Sequence, residues 1–266
     1  MQDMYTATCF GGLQIILPNG AVAQLQTHRA RALFLFLILN RDRMVHREVL
    51  CAALWPETSE ASARSQLRKT LWRIRTACAH PGTDLPTEGP IRIAEHQVGL
   101  DTSRIDVDLW RFEDCIRSLE LKSDGCLAEA DAAALLAAVD LNRDTFAAGI
   151  FDDWCLAEQE VLREARLAAM ERLIGYHRAH AHHQQAIHWA QRALALDPIR
   201  EHLHHAIMDS RCAMGDRASA IRQYHQCAAV LRREIGLHPS RQISILFHNL
   251  TAGDAGSLSE RTELQK

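Results

Sequence analysis

The sequence predicts a mostly α-helical chain with an α+β N-terminal part, and three observations lead to this fold class. Short runs of β-branched and apolar residues, bounded by turn residues, occur at 5–26 and 91–101. From residue 106 onward, apolar residues recur at helical spacing almost without a break. A chain of 266 residues that is 47% hydrophobic can also bury a sizeable core, and its length predicts two domains.

The first elements are predicted in the order sheet, helix, helix. Residues 5–26 are expected to form a small antiparallel sheet, because PNG at 18–20 is a turn signal between two runs that can be strands. Thr27 is a plausible N-cap for an apolar helix over residues 28–39. A second, shorter helix is expected over about 46–54.

The third helix, predicted from residues 64–75, RSQLRKTLWRIR, has a basic outer face. Leu67, Leu71 and Ile74 form one apolar stripe at helical spacing. Five of the twelve residues are Arg or Lys and none is acidic, whereas a solvated helix usually mixes the two signs. Unpaired like charge indicates a polyanionic partner, and a basic face without a partner is the alternative. The candidate DNA-binding residues are Ser65, Arg68, Lys69, Trp72, Arg73 and Thr76.

These candidates differ in chemistry, so different roles are expected of them. Arg68 is expected to read a base, because Arg can pair bidentately with guanine. Lys69 and Arg73 are expected to contact phosphate, and the two hydroxyl side chains can donate to a phosphate or a base edge. For Trp72, packing against the following hairpin or the DNA backbone is favoured over a base contact.

A β-hairpin is predicted after the basic helix. Residues 91–94 and 98–101 are short extended pieces separated by a hairpin-length gap. Sheet, two helices, basic helix and hairpin is the element order of a winged helix-turn-helix. In that fold the third helix enters the major groove of DNA and the hairpin is the wing beside it.

The remainder is predicted to be an all-α, tetratricopeptide-like domain. Ala186-Ile187 and Ala220-Ile221 repeat at an offset of 34 residues, the period of a tetratricopeptide helix pair. Residues 251–266 are small and polar and are expected to be a flexible tail. The predicted helices are 107–121, 128–142, 152–180, 184–196, 200–214, 217–234 and 240–250.

The distribution of charge supports a division into domains. Residues 28–80 hold ten Arg or Lys against four acids, and residues 81–150 hold six against fourteen. Residues 151–266 are balanced, with fourteen of each. A basic module followed by acidic and neutral ones is expected of a DNA-binding domain joined to a regulatory domain. We therefore predict a DNA-binding domain at 1–105 and a helical domain at 106–250.

Several other classes of protein are disfavoured by the sequence. The eight cysteines are scattered without a CxxC pair, which is typical of buried thiols in a reducing compartment. No signal peptide is recognised, and the longest apolar run, 32–39, is too short to span a membrane, so a cytoplasmic protein without membrane contact is expected. No nucleophile–base arrangement and no G-x-x-x-x-G-K-[ST] stretch occurs, so neither an enzyme nor a cofactor is predicted.

A histidine-rich stretch leaves one further hypothesis open. His177 and His180 are spaced to share a helix face, as are His202 and His205, which would suit a metal sensor. Histidines also suit the solvated faces of helix pairs, and neither Glu nor Cys stands at ligand spacing. Metal binding is therefore the less favoured interpretation, and no metal site is predicted. The other members of the stretch are His182, His183, His188 and His204.

The chain resembles the SARP (antibiotic regulatory protein) family of bacterial transcription activators over roughly residues 5–250. The matching stretches of the N-terminal part are THRARALFLFLIL, VHREVLCAALWPE and ARSQLRKTLWRIRTA. IDVDLWRFED, DDWCLAEQEVLRE and the run from ALALDPIREHLHH to IGLHPS resemble the bacterial transcriptional activator domain that follows it in that family. The family often has Ser where His46 stands, which leaves the cap of the second helix open.

The resemblance implies a specific function and specific partners. It implies activation of promoters that carry direct repeats, often through contact with RNA polymerase, and a homodimer is possible. By this analogy the loop 55–62 faces the polymerase, with Trp55, Glu57 and Glu60 as candidate contacts. The alternative is a tetratricopeptide-type interaction module whose winged helix docks protein rather than DNA. The acid-free basic face distinguishes the two, because a protein-docking face is usually more mixed.

Overall fold

The computed structural model describes residues 4–79, 89–119 and 127–263, with side chains described as far as residue 252. The described strands are β1 (Tyr5–Thr8), β2 (Gln14–Ile16), β3 (Val45–His46), β4 (Ile91–Ile93), β5 (Gln97–Leu100) and β6 (Ile105–Val107). The described helices are α1 (His28–Leu39), α2 (Arg47–Leu54), α3 (Glu60–Ala77), α4 (Asp108–Leu119), α5 (Glu129–Leu141), α6 (Asp153–Ala179), α7 (His183–Leu196), α8 (Glu201–Ala213), α9 (Arg217–Ile235) and α10 (Arg241–Glu263).

The chain divides into two compact units. The N-terminal unit consists of Met1–Ser118 and Ala137–Glu164, and the helical unit consists of Leu119–Leu136 and Ala165–Lys266. The predicted class, mostly α with an α+β N-terminal part, is confirmed. Within the described residues, no helix is both long and apolar enough to cross a bilayer.

The N-terminal sheet differs in part from the prediction. Strands β1 and β2 are antiparallel, as expected, but they are joined by the turn at Gly11-Gly12. The predicted PNG turn also forms, yet the run after it contributes only a single bridge, between Val22 and Ile16. The third strand of the sheet is β6, which pairs with β1 in parallel and was not predicted.

The first three helices pack together and position the basic helix. The hydroxyl of Thr27 accepts a hydrogen bond from the Ala30 amide at 3.2 Å, so the predicted cap of α1 is confirmed. His46 precedes α2 without a capping hydrogen bond from its side chain. Helix α3 extends beyond the predicted 64–75 at both ends. Buried side chains of α1, among them Leu33 and Ile38, form the core against α2 and α3.

The predicted hairpin is confirmed, and it belongs to a three-stranded sheet in the order β3-β5-β4. Val45 of β3 pairs with Val98, and Ile91 pairs with Leu100. A glycine is required at position 99 because the chain at 43–44 approaches it closely. A Cβ there would lie 2.7 Å from the Met44 sulfur and 3.1 Å from the Arg43 carbonyl oxygen. The sheet therefore holds the wing directly against the chain that enters α2.

Residues after 105 complete the N-terminal unit. The buried carboxylate of Asp108 accepts hydrogen bonds from the Cys9 amide at 2.9 and 3.0 Å. The indole of Trp110 donates to the carbonyl of Ile38 at 2.9 Å. Burial is the main cause that raises the pKa of Asp108. These bonds fasten the start of α4 to β1 and α1.

The helical unit follows the predicted helix pairs closely. Helix α8 packs against both α7 and α9, and the repeated small residues Ala186 and Ala220 are buried. Ala220 belongs to a core cluster with Met208 of α8 and Ile243 of α10. Helix α10 continues to Glu263, whereas the sequence analysis predicted that it ends at residue 250.

Candidate nucleic-acid interface

Helix α3 presents its basic side to solvent because its apolar stripe is fully used in packing. Leu67, Leu71 and Ile74 are buried. Between them, the hydroxyl of Thr70 donates a hydrogen bond to the Gln66 carbonyl oxygen at 2.8 Å. On the opposite side, five of the six candidate contacts are exposed and Ser65 is half-buried. Trp72 is the most unusual of them, because 63% of so large a residue is exposed. The exposed candidates are Arg68, Lys69, Trp72, Arg73 and Thr76.

The charges of α3 fall into two groups. Arg64 is bound by Glu60, one turn earlier, and lies 3.4 Å from a carboxylate oxygen of Glu48 on α2. Arg68, Lys69 and Arg73 have no acidic partner within the described part of the chain. Three neighbouring cations therefore face solvent without compensation, which is the electrostatic character of a polyanion-binding surface.

A groove runs between α3 and the tip of the wing on one flank of this surface. It has a volume of about 770 Å³, and Arg68, Arg47 and His96 are among its lining residues. The Arg47 amide donates to the His96 carbonyl at 2.9 Å, and His46 lies 2.9 Å from the Gln97 side chain. These bonds fix the wing tip beside the start of α2. Glu48 and Glu95 also line the groove and reduce its positive charge.

A second cleft lies on the other flank of α3. Trp72, Arg73 and Thr76 line it together with residues 24–27, which lead into α1. No residue of the hairpin is among those lining this cleft, so the cleft gives no support to the expected packing of Trp72 against the hairpin. The indole instead borders the loop before α1, and its exposed face is free to contact a ligand in front of α3.

Two basic residues of this region were missed by the sequence analysis. Arg47 begins α2 and lines the wing groove. Arg92 lies on β4, where Ile91 is buried and Arg92 is exposed. The alternation of apolar and polar residues in the sequence IRI could have indicated an exposed Arg92. Arg47 could not have been found in this way, because its place depends on the tertiary contact between α2 and the wing.

The three polymerase-contact candidates, which lie in the α2–α3 loop and at the first residue of α3, have different environments. Trp55 is only 6% exposed and helps to anchor the loop. Glu57 and Glu60 are both exposed, and Glu60 forms an ion pair with Arg64. A surface contact in this loop would therefore involve Glu57 more directly than Trp55.

The histidine-rich stretch does not converge on a common point. His180 and His182 are stacked with centroids 6.0 Å apart, and His177 lies 5.9 Å from His182. Burial is the main cause that lowers the pKa of His177, and the neighbouring His182 and then His180 lower it further. Among the residues that the structure describes, no group of three or more His, Cys, Asp or Glu side chains is arranged to hold a metal ion.

Comparisons with known proteins agree with this architecture. The model of the family "Bacterial transcriptional activator domain" matches residues 107–251. The transcriptional regulatory protein MoaR1 of Mycobacterium tuberculosis is 26% identical over 259 residues, which cover 90% of this chain and 77% of MoaR1. MoaR1 of Mycobacterium bovis is 25% identical over the same lengths.

A solved structure shares the fold. The structure of Mycobacterium tuberculosis EmbR in complex with a low affinity phosphopeptide matches with a TM-score of 0.75 and 19% identity. The match covers 95% of this chain and 66% of the EmbR chain, so this chain spans slightly less than two thirds of that protein.

Proposed function

The chain belongs to the bacterial transcriptional activator domain family, and from this premise we propose that it activates transcription by binding promoter DNA sequence-specifically. Its relatives are transcriptional regulators. The proposal assigns DNA binding to the winged helix, with α3 in the major groove and the β4–β5 hairpin as the wing.

The uncompensated cations of α3 are the observation that supports DNA binding best. Arg68, Lys69 and Arg73 lie on one exposed side of a helix whose other side is held in the core. A rigid helix with free cations can neutralise phosphates and place side chains at base edges. Arg68 lines the wing groove together with Arg47, so a duplex in front of α3 would also meet Arg47.

Two partners complete the proposal by family resemblance. RNA polymerase would contact the α2–α3 loop, where Glu57 is exposed, whereas the Glu60 carboxylate is already paired with Arg64. A promoter with two direct repeats would bind two copies of the chain, one on each repeat. These two copies together would be the homodimer. Neither partner requires chemistry at the interface, and we propose no catalytic activity for this protein.

The decisive experiment measures the salt dependence of DNA binding. Footprinting on promoters near the gene first identifies a specific duplex, and a scrambled duplex serves as the non-specific partner. Arg68→Ala, Lys69→Ala and Arg73→Ala are then compared at several salt concentrations. Arg233→Ala is the matched control, because Arg233 is an exposed cation on α9 in the helical unit.

The expected results separate base contacts from phosphate contacts. Arg68→Ala should cost about 1–3 kcal/mol on the specific duplex and much less on the scrambled one. Lys69→Ala and Arg73→Ala should weaken both duplexes alike and lower the slope of log K against log salt by about 0.9 each. The control should bind like the parent chain.

The alternative function makes a different prediction. If the winged helix docks protein, the three α3 variants should bind DNA like the parent chain once circular dichroism shows that they are folded. That result would remove α3 as the DNA-reading element and favour the tetratricopeptide-type interaction module.

A further inference from the structure

We propose that a cleft in the N-terminal unit binds a small amphipathic anion, a molecule with an apolar body and one carboxylate or phosphate group. The cleft has a volume of about 530 Å³, which is in the range of small-molecule sites. It is lined by the β1–β2 turn, one side of α1 and residues 148–150. The proposal is independent of DNA binding by α3.

Arg31 supplies the charge that would hold the anionic group. It lies on α1, is exposed and lines the cleft. Arg29 on the same helix is bound to Asp152 at 2.5 Å, and Arg41 is bound to Asp114 at 2.5 Å. Arg31, in contrast, has no acidic partner among the residues described. A free guanidinium can donate two parallel hydrogen bonds to a carboxylate or phosphate.

The wall of the cleft is built from turns with left-handed backbone. Gly12 and Gly149 have φ of +133° and +87°, and a Cβ on either would meet no atom within 4 Å. The backbone at these two positions is therefore uncovered. Ala147, beside the lining segment, has φ of 49°, which is unfavourable for a residue with a Cβ and tends to occur where a ligand is held.

Part of the cleft is apolar, and this part is fixed in place by packing. Leu35 and Ile150 are buried beneath the cleft, and Phe10 packs edge-on against Phe146 with centroids 6.4 Å apart. The amide of Gly11 donates to the Thr145 carbonyl at 3.0 Å, which ties the two turns together. This preformed apolar part of the lining suits an aliphatic or aromatic group of the ligand, because no ordering of the protein is needed on binding.

A nearby acid limits the charge of the ligand. The Asp144 carboxylate lies 3.2 Å from the position of a Cβ on Gly11 in the β1–β2 turn, although Asp144 is not among the lining residues. A second anionic group at that end would be repelled. One anionic group at the Arg31 end is therefore the charge pattern that fits.

Three probes with the same ring test this proposal on the full chain. Benzoate and phenyl phosphate carry an anion, whereas benzyl alcohol does not. In isotope-edited NMR titrations, both anions should shift the amide signals of Gly11, Gly12 and Gly149. Benzyl alcohol should bind at least about tenfold more weakly, as expected for a missing charge-assisted pair. The ratio between the two anions identifies the preferred group.

Matched variants locate the charge. Arg31→Leu keeps an apolar stem and should weaken both anions by at least about tenfold, with little effect on benzyl alcohol. Arg43→Leu removes an exposed cation with no described acidic partner and should change nothing. Equal binding of all three probes to the parent chain would overturn the proposal even if Arg31→Leu did not fold. Equal weakening by the two variants would also overturn it, since the attraction would then be general.

Discussion

His204 illustrates how a single buried side chain in the helical unit is held in one protonation state. Its Nε2 lies 3.1 Å from the Pro198 carbonyl oxygen, and the side-chain amide nitrogen of Gln223 lies 2.8 Å from its Nδ1. A neutral ring with the proton on Nε2 can donate to the carbonyl and accept from the amide at once. Burial lowers the pKa of His204, which favours the same neutral form.

This arrangement predicts a pH-dependent stability. The unfolded chain binds a proton on His204 at higher pH than the folded chain, so acid favours unfolding. The contribution of His204 is fully present above the unfolded pKa of about 6.5 and is lost as the pH falls through the lowered folded pKa. His204→Gln should remove this share of the slope and cost about 1–3 kcal/mol at pH 8, because its amide does not place a donor and an acceptor where the two ring nitrogens lie.

Urea unfolding of the full chain between about pH 5 and 8, the interval spanning the ordinary histidine pKa, measures both effects. His238→Gln is the control, since His238 is exposed on the same unit and its replacement should leave the slope unchanged. A slope that persists in full in His204→Gln would contradict the assignment. Part of the dependence should remain in either variant, because the pKa of His177 is also lowered.

Gly99 supports a second prediction at the scale of one residue. A Cβ at this position would lie 3.1 Å from a backbone carbonyl oxygen, so Gly99→Ala should destabilise the chain by about 1–3 kcal/mol through overpacking. A Cβ on Gly89 would meet only the Cys78 Cβ, at an ordinary 3.7 Å. Gly89→Ala should therefore be neutral or stabilising by up to about 1 kcal/mol. Denaturant midpoints compare the two, and a loss of equal size at both positions would rule out the close approach.

At the scale of elements, the repeated helices explain why small residues recur at fixed spacing. Ala220 of α9 is fully buried in a cluster with Met208 of α8 and Ile243 of α10. No room remains for a larger side chain, because protein cores are packed as tightly as organic crystals. The repeat of Ala186 and Ala220 therefore reflects packing of α7 and α9 on their common neighbour α8.

A bulky replacement tests this packing. Ala220→Trp should overpack the cluster and cost about 1–3 kcal/mol of unfolding free energy. Ala218→Trp is the control, because Ala218 is exposed on the same helix and the change in helix propensity is the same. Thermal unfolding of both variants suffices. If Ala220→Trp melted with the control, Ala220 would not lie at a helix crossing and the repeat interpretation would be wrong.

The helices could be predicted from the sequence because each carries its own apolar stripe. The ends of α1, α7 and α9 fall within one residue of the predicted bounds for that reason. Strand β6 could not be predicted, since three residues give too short a pattern and its partner β1 lies about a hundred positions earlier. Pairing between distant segments is decided by tertiary packing and leaves little local signal.

Only the part of the candidate interface that lies within the single helix α3 could be predicted from the sequence. The exposed side of α3 followed from periodicity, and the structure places Arg68, Lys69 and Arg73 there. The neutralisation of Arg64 by Glu60 and Glu48 involves a residue on α2 and was not foreseen.

At the scale of the whole molecule, the family resemblance is confirmed, and the N-terminal unit is larger than the predicted winged helix alone. Asp152, well beyond residue 105, binds Arg29 of α1 at 2.5 Å, and Trp154 packs edge-on against Phe36 with centroids 5.2 Å apart. Phe146 packs against Phe10 in the same way. The cores on either side of residue 105 are thus shared, although the shift in charge occurs near that point.

These contacts predict a graded stability for N-terminal fragments. A fragment of residues 1–105 loses the hydrogen bonds of Asp108 and Trp110 and leaves apolar surface of β1 and α1 uncovered. A fragment of residues 1–119 keeps those bonds but lacks Phe146 and Trp154. A fragment of residues 1–164 keeps every contact named here. Because each step restores buried apolar area, the urea midpoint should rise in the order 1–105, 1–119, 1–164.

DNA binding provides the second readout for the same fragments. All three contain α3 and the wing, so each should bind a duplex with the salt slope of the full chain to the extent that it is folded. Cooperative unfolding of residues 1–105 at the midpoint of 1–164 would show that the winged helix is independent, as the shift in charge first suggested. A lower midpoint for 1–105 together with an unchanged salt slope for 1–164 would show that the segment after residue 105 stabilises the winged helix without contributing phosphate contacts of its own.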